Sequence, residues 1–285
     1  VHVAQILNIL EHFDLRSLGA DSPDFVHVVA EAMKLAFADR AHWLGDPDFA
    51  PVPRGLVAPA YAAELARKID LQRATPVPRH HLPPEAASDV FGKHTTHFSA
   101  ADAEGNWVAC TATINTTYGS KVVVPGTGVV LNNEMDDFSA QPGVPNHFGL
   151  IGAEANAVAP GKRPLSSMSP TIVLRNGRPI LSVGAAGGPT IITQTLLAII
   201  QVVDFGRSPA QALAQPRFHQ QWSPDELRIE KQFPAAVRRE LARRGHKLKE
   251  LDTFGACQVV GLAPDGKNFT GASDPRVADG KAAGF

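Results

Sequence analysis

The chain has 285 residues, 44% hydrophobic and 19% charged, an ordinary globular balance. Its 27 basic and 28 acidic residues leave a formal charge of −1, which excludes the broad basic footprint of a nucleic-acid binder. Two cysteines, Cys110 and Cys257, make no disulfide framework, and no apolar run is long enough to span a bilayer.

Residues 1 to about 70 are expected to be helical. Val3, Ile6, Leu7 and Leu10 recur at helical spacing, and so do Phe25, Val28, Val29, Ala32 and Met33. Pro76, Pro78, Pro83 and Pro84 then mark an exposed linker. The next stretch, from His94 to Ser99 and on through Thr111 to Thr117, predicts a hairpin. Its loop, Asp102 to Asn106, is rich in residues that tolerate tight backbone, and its flanks alternate as strands do. Folding the chain there sets Thr113 to Asn115 against Thr95 and Thr96. A threonine met by a second threonine and an asparagine resembles a nucleophile with its partners. Taken alone, the pattern is better read as a threonine-rich edge hairpin, since Thr is a good strand former.

An apolar strand is expected at Gly128–Leu131, followed by the polar block Asn132 to Phe138. After Lys162-Arg163-Pro164-Leu165-Ser166-Ser167-Met168-Ser169 come two apolar runs flanking Asn176-Gly177, the strongest short hairpin signal. Extending that pairing brings Ser166 and Ser167 roughly opposite Gly187 and Gly188. Those glycines precede a buried helix beginning near Ile191, so strand, glycine turn and helix follow in order. The free N–H groups and positive end of such a helix can hold an anion, such as the oxyanion of acyl transfer. A phosphate loop is disfavoured because no Lys follows at the required spacing. Close helix–strand packing explains the glycines equally well. Ser208-Pro209 and Phe233-Pro234 start further helices, and Asp265-Gly266 makes a late hairpin. The 11 histidines show no His-Glu-x-x-His spacing, so neither metal nor cofactor is expected. His97 reads as structural rather than as a general base.

Several long blocks occur here in one order: Thr95 to Ser99, Leu131 to Phe138, Arg163 to Thr171, Gly187-Gly188, Pro216-Arg217-Phe218-His219 and Gly271 to Arg276. Together they closely resemble the γ-glutamyltranspeptidases of the N-terminal-nucleophile hydrolase superfamily, over essentially the whole chain. The resemblance implies an α+β fold, a four-layer αββα sandwich. Residues 1–94 then correspond to the C-terminal part of the large-subunit segment, mainly helical with a linker. Residues 95–285 correspond to the small-subunit catalytic segment, and both are parts of one domain.

The resemblance also implies a mechanism. The precursor would cut itself between His94 and Thr95. The freed α-amine of Thr95, titrating near pH 8 (roughly), would serve as base to its own hydroxyl. Thr95 would take up a γ-glutamyl group and pass it to water or an amino acid. Thr113 would orient Thr95. Asn115, Glu134 and Asp137 would receive the substrate's α-ammonium, Ser166 and Ser167 its α-carboxylate. Gly187 and Gly188 would supply the oxyanion hole, and Phe148 would sit in the lid. A carboxylate-binding arginine is implied in a large-subunit segment upstream of Val1, so no arginine in this chain is given that role. A periplasmic or secreted location is implied, with its targeting segment also upstream. Phe148 stands where the family commonly has tyrosine, Glu134 where many bacterial members have glutamine, and Pro189-Thr190 where Ser-Arg is usual. Two other readings accompany this one: an acylase or amidase using the same threonine on glutaryl or other acyl amides, and an unprocessed, inactive binding or structural fragment.

Overall fold

The computed structural model describes residues 1–84, 96–278 and 280–284, so His94 and Thr95 lie outside the described residues. In chain order the elements begin with helices α1 (His2–Leu10), α2 (Leu15–Leu18), α3 (Pro23–Trp43) and α4 (Pro59–Ala66). Strands β1 (His97–Ala101), β2 (Trp107–Thr111), β3 (Thr171–Arg175) and β4 (Arg178–Ala186) follow. Then come α5 (Thr190–Val203), α6 (Pro209–Ala214), β5 (Phe218–His219), β6 (Leu227–Glu230) and α7 (Ala235–Arg243). β7 (Leu248–Leu251), β8 (Ala256–Leu262) and β9 (Phe269–Ser273) complete the order, and the chain is of the α+β class. Among the described residues, no helix is long and apolar enough to cross a membrane.

Two compact units divide the chain without following its order. The first is Val1–Gly92, Ile114–Ser166 and Phe218–Glu250; the second is Lys93–Thr113, Ser167–Arg217 and Leu251–Phe285.

The first unit is organised by α3. Ser22 accepts a hydrogen bond from the Phe25 N–H at 3.0 Å, and Pro23 sits where its missing N–H costs nothing, so the helix start is set locally. The apolar spacing predicts one buried face, but every residue from Phe25 to Arg40 is buried. Helix α3 packs against α1, α4, α7 and β5, which leaves no solvent face over most of its length. Its charged side chains are therefore paired internally: Lys34 with Glu31 at 2.7 Å, and Asp39 with Gln5 and Tyr61 at 2.8 and 2.7 Å. The proline-rich stretch is anchored by such groups, with Lys34 donating to the Thr75 carbonyl and Trp43 to that of His81.

The expected strand at Gly128–Leu131 does not form as a sheet strand. It contributes one isolated bridge, Val130 to Val123, within a narrow loop. Gly126 and Gly128 take φ of 75° and 72°, which turns the backbone away from an extended run, and Val129 and Leu131 remain exposed.

In the second unit, β3, β4, β8 and β9 form an antiparallel sheet in that order. Asn176 and Gly177, with φ of 53° and 76°, make the tight β3–β4 turn as expected. The β1–β2 hairpin lies against β4 and β8, where the buried Ser182 hydroxyl donates to the Val108 carbonyl at 2.7 Å. Helices α5 and α6 also pack against the sheet. His97 is buried, its ring nitrogens 2.8 Å from the Thr111 hydroxyl and 2.9 Å from that of Ser99. Burial pulls its pKa down to about 4, so the ring is a neutral structural group.

Candidate active site

The hairpin register follows the expectation as far as the described residues reach. His97 pairs with Thr111, and the Ala112 N–H donates to the Thr96 carbonyl at 2.5 Å. Thr113, half-buried, follows immediately in the second unit. The β3–β4 ladder runs from the Asn176-Gly177 turn only as far as Thr171 opposite Val183. Ser166 and Ser167 therefore lie beyond it, with Ser166 in the first unit and Ser167 in the second.

Gly187 and Gly188 form a turn between β4 and α5. Gly187 has φ of 135°, a conformation closed to most side chains, and a Cβ there would stand 2.6 Å from the Thr190 hydroxyl. Neither glycine N–H donates to a backbone carbonyl among the described residues. The 14-residue α5 begins just beyond them and adds its positive end. Such a turn suits a developing negative charge.

In the first unit, Asn115, Glu134, Asp137, Phe148 and Ser166 all come from the segment Ile114–Ser166. Asn115 takes φ of 73° and donates from Nδ2 to the Asn133 carbonyl at 3.1 Å, which ties it to the turn that presents Glu134. Glu134–Asp137 forms one 3-10 turn. Burial pushes the Asp137 carboxyl up to about 6; the Arg40 guanidinium opposes that shift and Asp136 adds to it. Arg40, to which the sequence assigns no role, is buried on α3 and donates to the Ser166 carbonyl at 3.5 Å. Burial lowers its pKa to about 10, against the pull of Asp137. One buried cation thus faces both the Asp137 carboxylate and the Ser166 segment. Phe148 is half-buried in the loop closed by Asn146, whose side chain accepts from the N–H groups of Phe148 and Leu150.

Sequence reasoning missed two further organising groups. Asn156, buried, donates from Nδ2 to the Asp137 carbonyl at 2.8 Å and accepts from the Leu165 N–H at 2.9 Å. It joins the acidic turn to the serine segment. Asn156→Ala would leave both backbone groups unpaired, at a cost of about 2–4 kcal/mol. A thermal midpoint equal to that of the wild type would refute this. The second group is Asp46, whose buried carboxylate takes the Arg163 backbone N–H, Nε and Nη2 at 2.8, 2.9 and 2.5 Å and anchors the start of the same segment. Arg163 opens one of the sequence blocks, but Asn156 carries no local signal because its partners are set by packing.

Comparison with known proteins adds a second line of evidence. The family model described as gamma-glutamyltranspeptidase matches residues 1–285. The glutathione hydrolase proenzyme of Escherichia coli (strain K12) is 47% identical over 286 residues, covering 100% of this chain and 49% of that protein. The chain thus spans about half the length of the curated relatives it matches. Among solved structures, the Helicobacter pylori gamma-glutamyltranspeptidase T380A mutant superposes with a TM-score of 0.62 at 48% identity, over 64% of this chain and 100% of that one. Cephalosporin acylase from Bacillus halodurans superposes with a TM-score of 0.80 at 29% identity, over 96% of this chain and 47% of that one. These likenesses carry the expected αββα fold of the N-terminal-nucleophile hydrolases. Matched by the family model along its entire length, the chain belongs to the gamma-glutamyltranspeptidase family.

Proposed function

We propose that the protein containing this chain is a self-processing threonine hydrolase and transferase acting on γ-glutamyl amides such as glutathione. The observation that carries the reading is the half-buried carboxylate of Asp137, held beside Arg40 and on the same turn as Glu134. A carboxylate pair suits a substrate ammonium through charge-assisted hydrogen bonds. Ser166, whose carbonyl accepts from Arg40, and Ser167 after it in the chain suit the α-carboxylate, with help from an arginine outside this chain.

After cleavage between His94 and Thr95, the Thr95 amine takes the proton of its own hydroxyl as the oxygen attacks the γ-carbonyl. Thr113 orients that hydroxyl, and the Gly187 and Gly188 N–H groups hold the oxyanion. The C–N bond then breaks, the amine leaves with the proton, and a γ-glutamyl ester remains. Water or an amino acid attacks the ester and restores the threonine. A periplasmic or secreted setting accompanies this reading, as does a large-subunit segment preceding the chain.

Expression from the full reading frame tests it. The expected product is a fragment beginning at Thr95 that hydrolyses a γ-glutamyl anilide at least about 30-fold better than a glutaryl anilide, which keeps the carboxylate but lacks the α-ammonium. A preference for the glutaryl amide would make the protein an acylase, a reading favoured by the likeness to cephalosporin acylase. A stable uncut chain would make it a binding or structural piece.

A further inference from the structure

The glycine turn is held from behind by a chain of buried polar groups, all within the second unit. Gln194, on α5 and 1% exposed, donates from Nε2 to the Ala186 carbonyl at 3.0 Å and to the Thr190 hydroxyl at 2.9 Å. Its Oε1 accepts from Arg217 Nη1 at 3.1 Å, and Arg217 Nη2 donates to Asp274 at 2.5 Å. Thr190 passes its own hydroxyl hydrogen to the Gly187 carbonyl at 2.7 Å. The direction of every bond is set. Arginine only donates and a carbonyl only accepts, so the amide of Gln194 has one orientation. Space for that amide comes from Gly255, where a Cβ would fall 2.0 Å from Nε2.

The consequence follows from peptide geometry. The Ala186 carbonyl and the Gly187 N–H belong to one planar trans unit, as do the Gly187 carbonyl and the Gly188 N–H. Within a trans peptide, C=O and N–H point to opposite sides. Pinning the two carbonyls toward Gln194 and Thr190 therefore directs the two N–H groups the other way. We infer that Gln194, locked by Arg217–Asp274 and acting partly through Thr190, is the positioning residue that aims both oxyanion donors. This inference rests on the proposed acyl transfer but not on the identity of the acyl group.

The test uses enzyme from the full reading frame, with turnover expressed per Thr95 N-terminus. Gln194→Met removes all three side-chain bonds at similar volume. Gln194→Glu keeps an acceptor for Arg217 but presents a carboxylate oxygen to the Ala186 carbonyl. Both are expected to lower kcat by about 10- to 100-fold, less than the roughly 10²–10³ of deleting a donor outright, with KM within about twofold. Affinity for a boronic acid carrying the same acyl chain, whose adduct places an oxygen where the oxyanion forms, should weaken by the same factor as kcat/KM. A folded Gln194→Met enzyme with wild-type kcat, or one in which only the melting temperature falls, overturns the inference. Should Gln194→Met not fold, Thr190→Val decides: reduced kcat at constant KM supports the inference, and unchanged kcat overturns it. A wild-type enzyme inert toward both γ-glutamyl and glutaryl anilides would instead overturn the proposed function, and this inference with it.

Discussion

Thr95→Ala is expected to leave one uncut chain and to abolish amide hydrolysis, with a loss of roughly 10⁵-fold or more in kcat. The reason is double dependence on one side chain. In the proposed mechanism the hydroxyl is needed first to attack the carbonyl of the preceding residue, which frees the α-amine, and again to attack the substrate. Alanine supplies neither the nucleophile nor, without cleavage, the base. Thr95→Ser separates the requirements, because serine retains the hydroxyl and should still process and turn over, more slowly. Intact mass and N-terminal sequencing read the first step, and anilide hydrolysis reads the second. Normal cleavage in Thr95→Ala would remove Thr95 from the mechanism.

Asp137→Asn should cost kcat/KM toward a γ-glutamyl anilide by about 30- to 1000-fold, the range of about 2–4 kcal/mol expected when one partner of a desolvated charge pair is neutralised. The loss should be small for a glutaryl anilide, which brings no ammonium to the site. Acidity offers a second readout. Burial lifts the Asp137 carboxyl to about 6, so in the free enzyme it takes up a proton as pH falls through that value. Only the carboxylate can pair with an ammonium. Beyond the acid limb that the Thr95 amine gives both substrates, kcat/KM for the γ-glutamyl substrate is therefore expected to show an extra limb below about pH 6 that the glutaryl substrate lacks. Asp137→Asn should abolish the extra limb, and Arg40→Met should move it upward, since the guanidinium now opposes protonation. Identical pH profiles for the two substrates in the wild type would deny Asp137 a part in ammonium recognition.

Much of the local structure was legible in the chain because its determinants act over a few residues. Ser22-Pro23 starts α3, and Ser208 with Gln211 forms a full capping box at α6. Asn176-Gly177 and Asp265-Gly266 turn the hairpins where expected. The Gly128–Leu131 run failed as a strand prediction because apolar residues alone do not supply a neighbouring strand, and flanking glycines redirected the backbone. The residues proposed for the site, Thr113, Asn115, Glu134, Asp137, Ser166, Ser167 and the glycine pair, all sit in stretches the sequence singles out.

The supports of those residues were not legible. Arg40 looks like any basic residue in a helix's last turn, yet it is buried and faces the Asp137 carboxylate. Gln194 looks like a polar interruption in an apolar helix, and its meaning depends on Arg217, 23 residues away, and on Asp274, 57 residues beyond that. The sequence by itself determined the family, the turns and helix starts, and the chemical types available to the site, because capping, turn propensity and residue identity are local properties. Only the tertiary structure decided which charges are buried, which carboxylate is raised and how the glycine peptides face. Those follow from desolvation and from hydrogen bonds between segments that meet only when the chain packs.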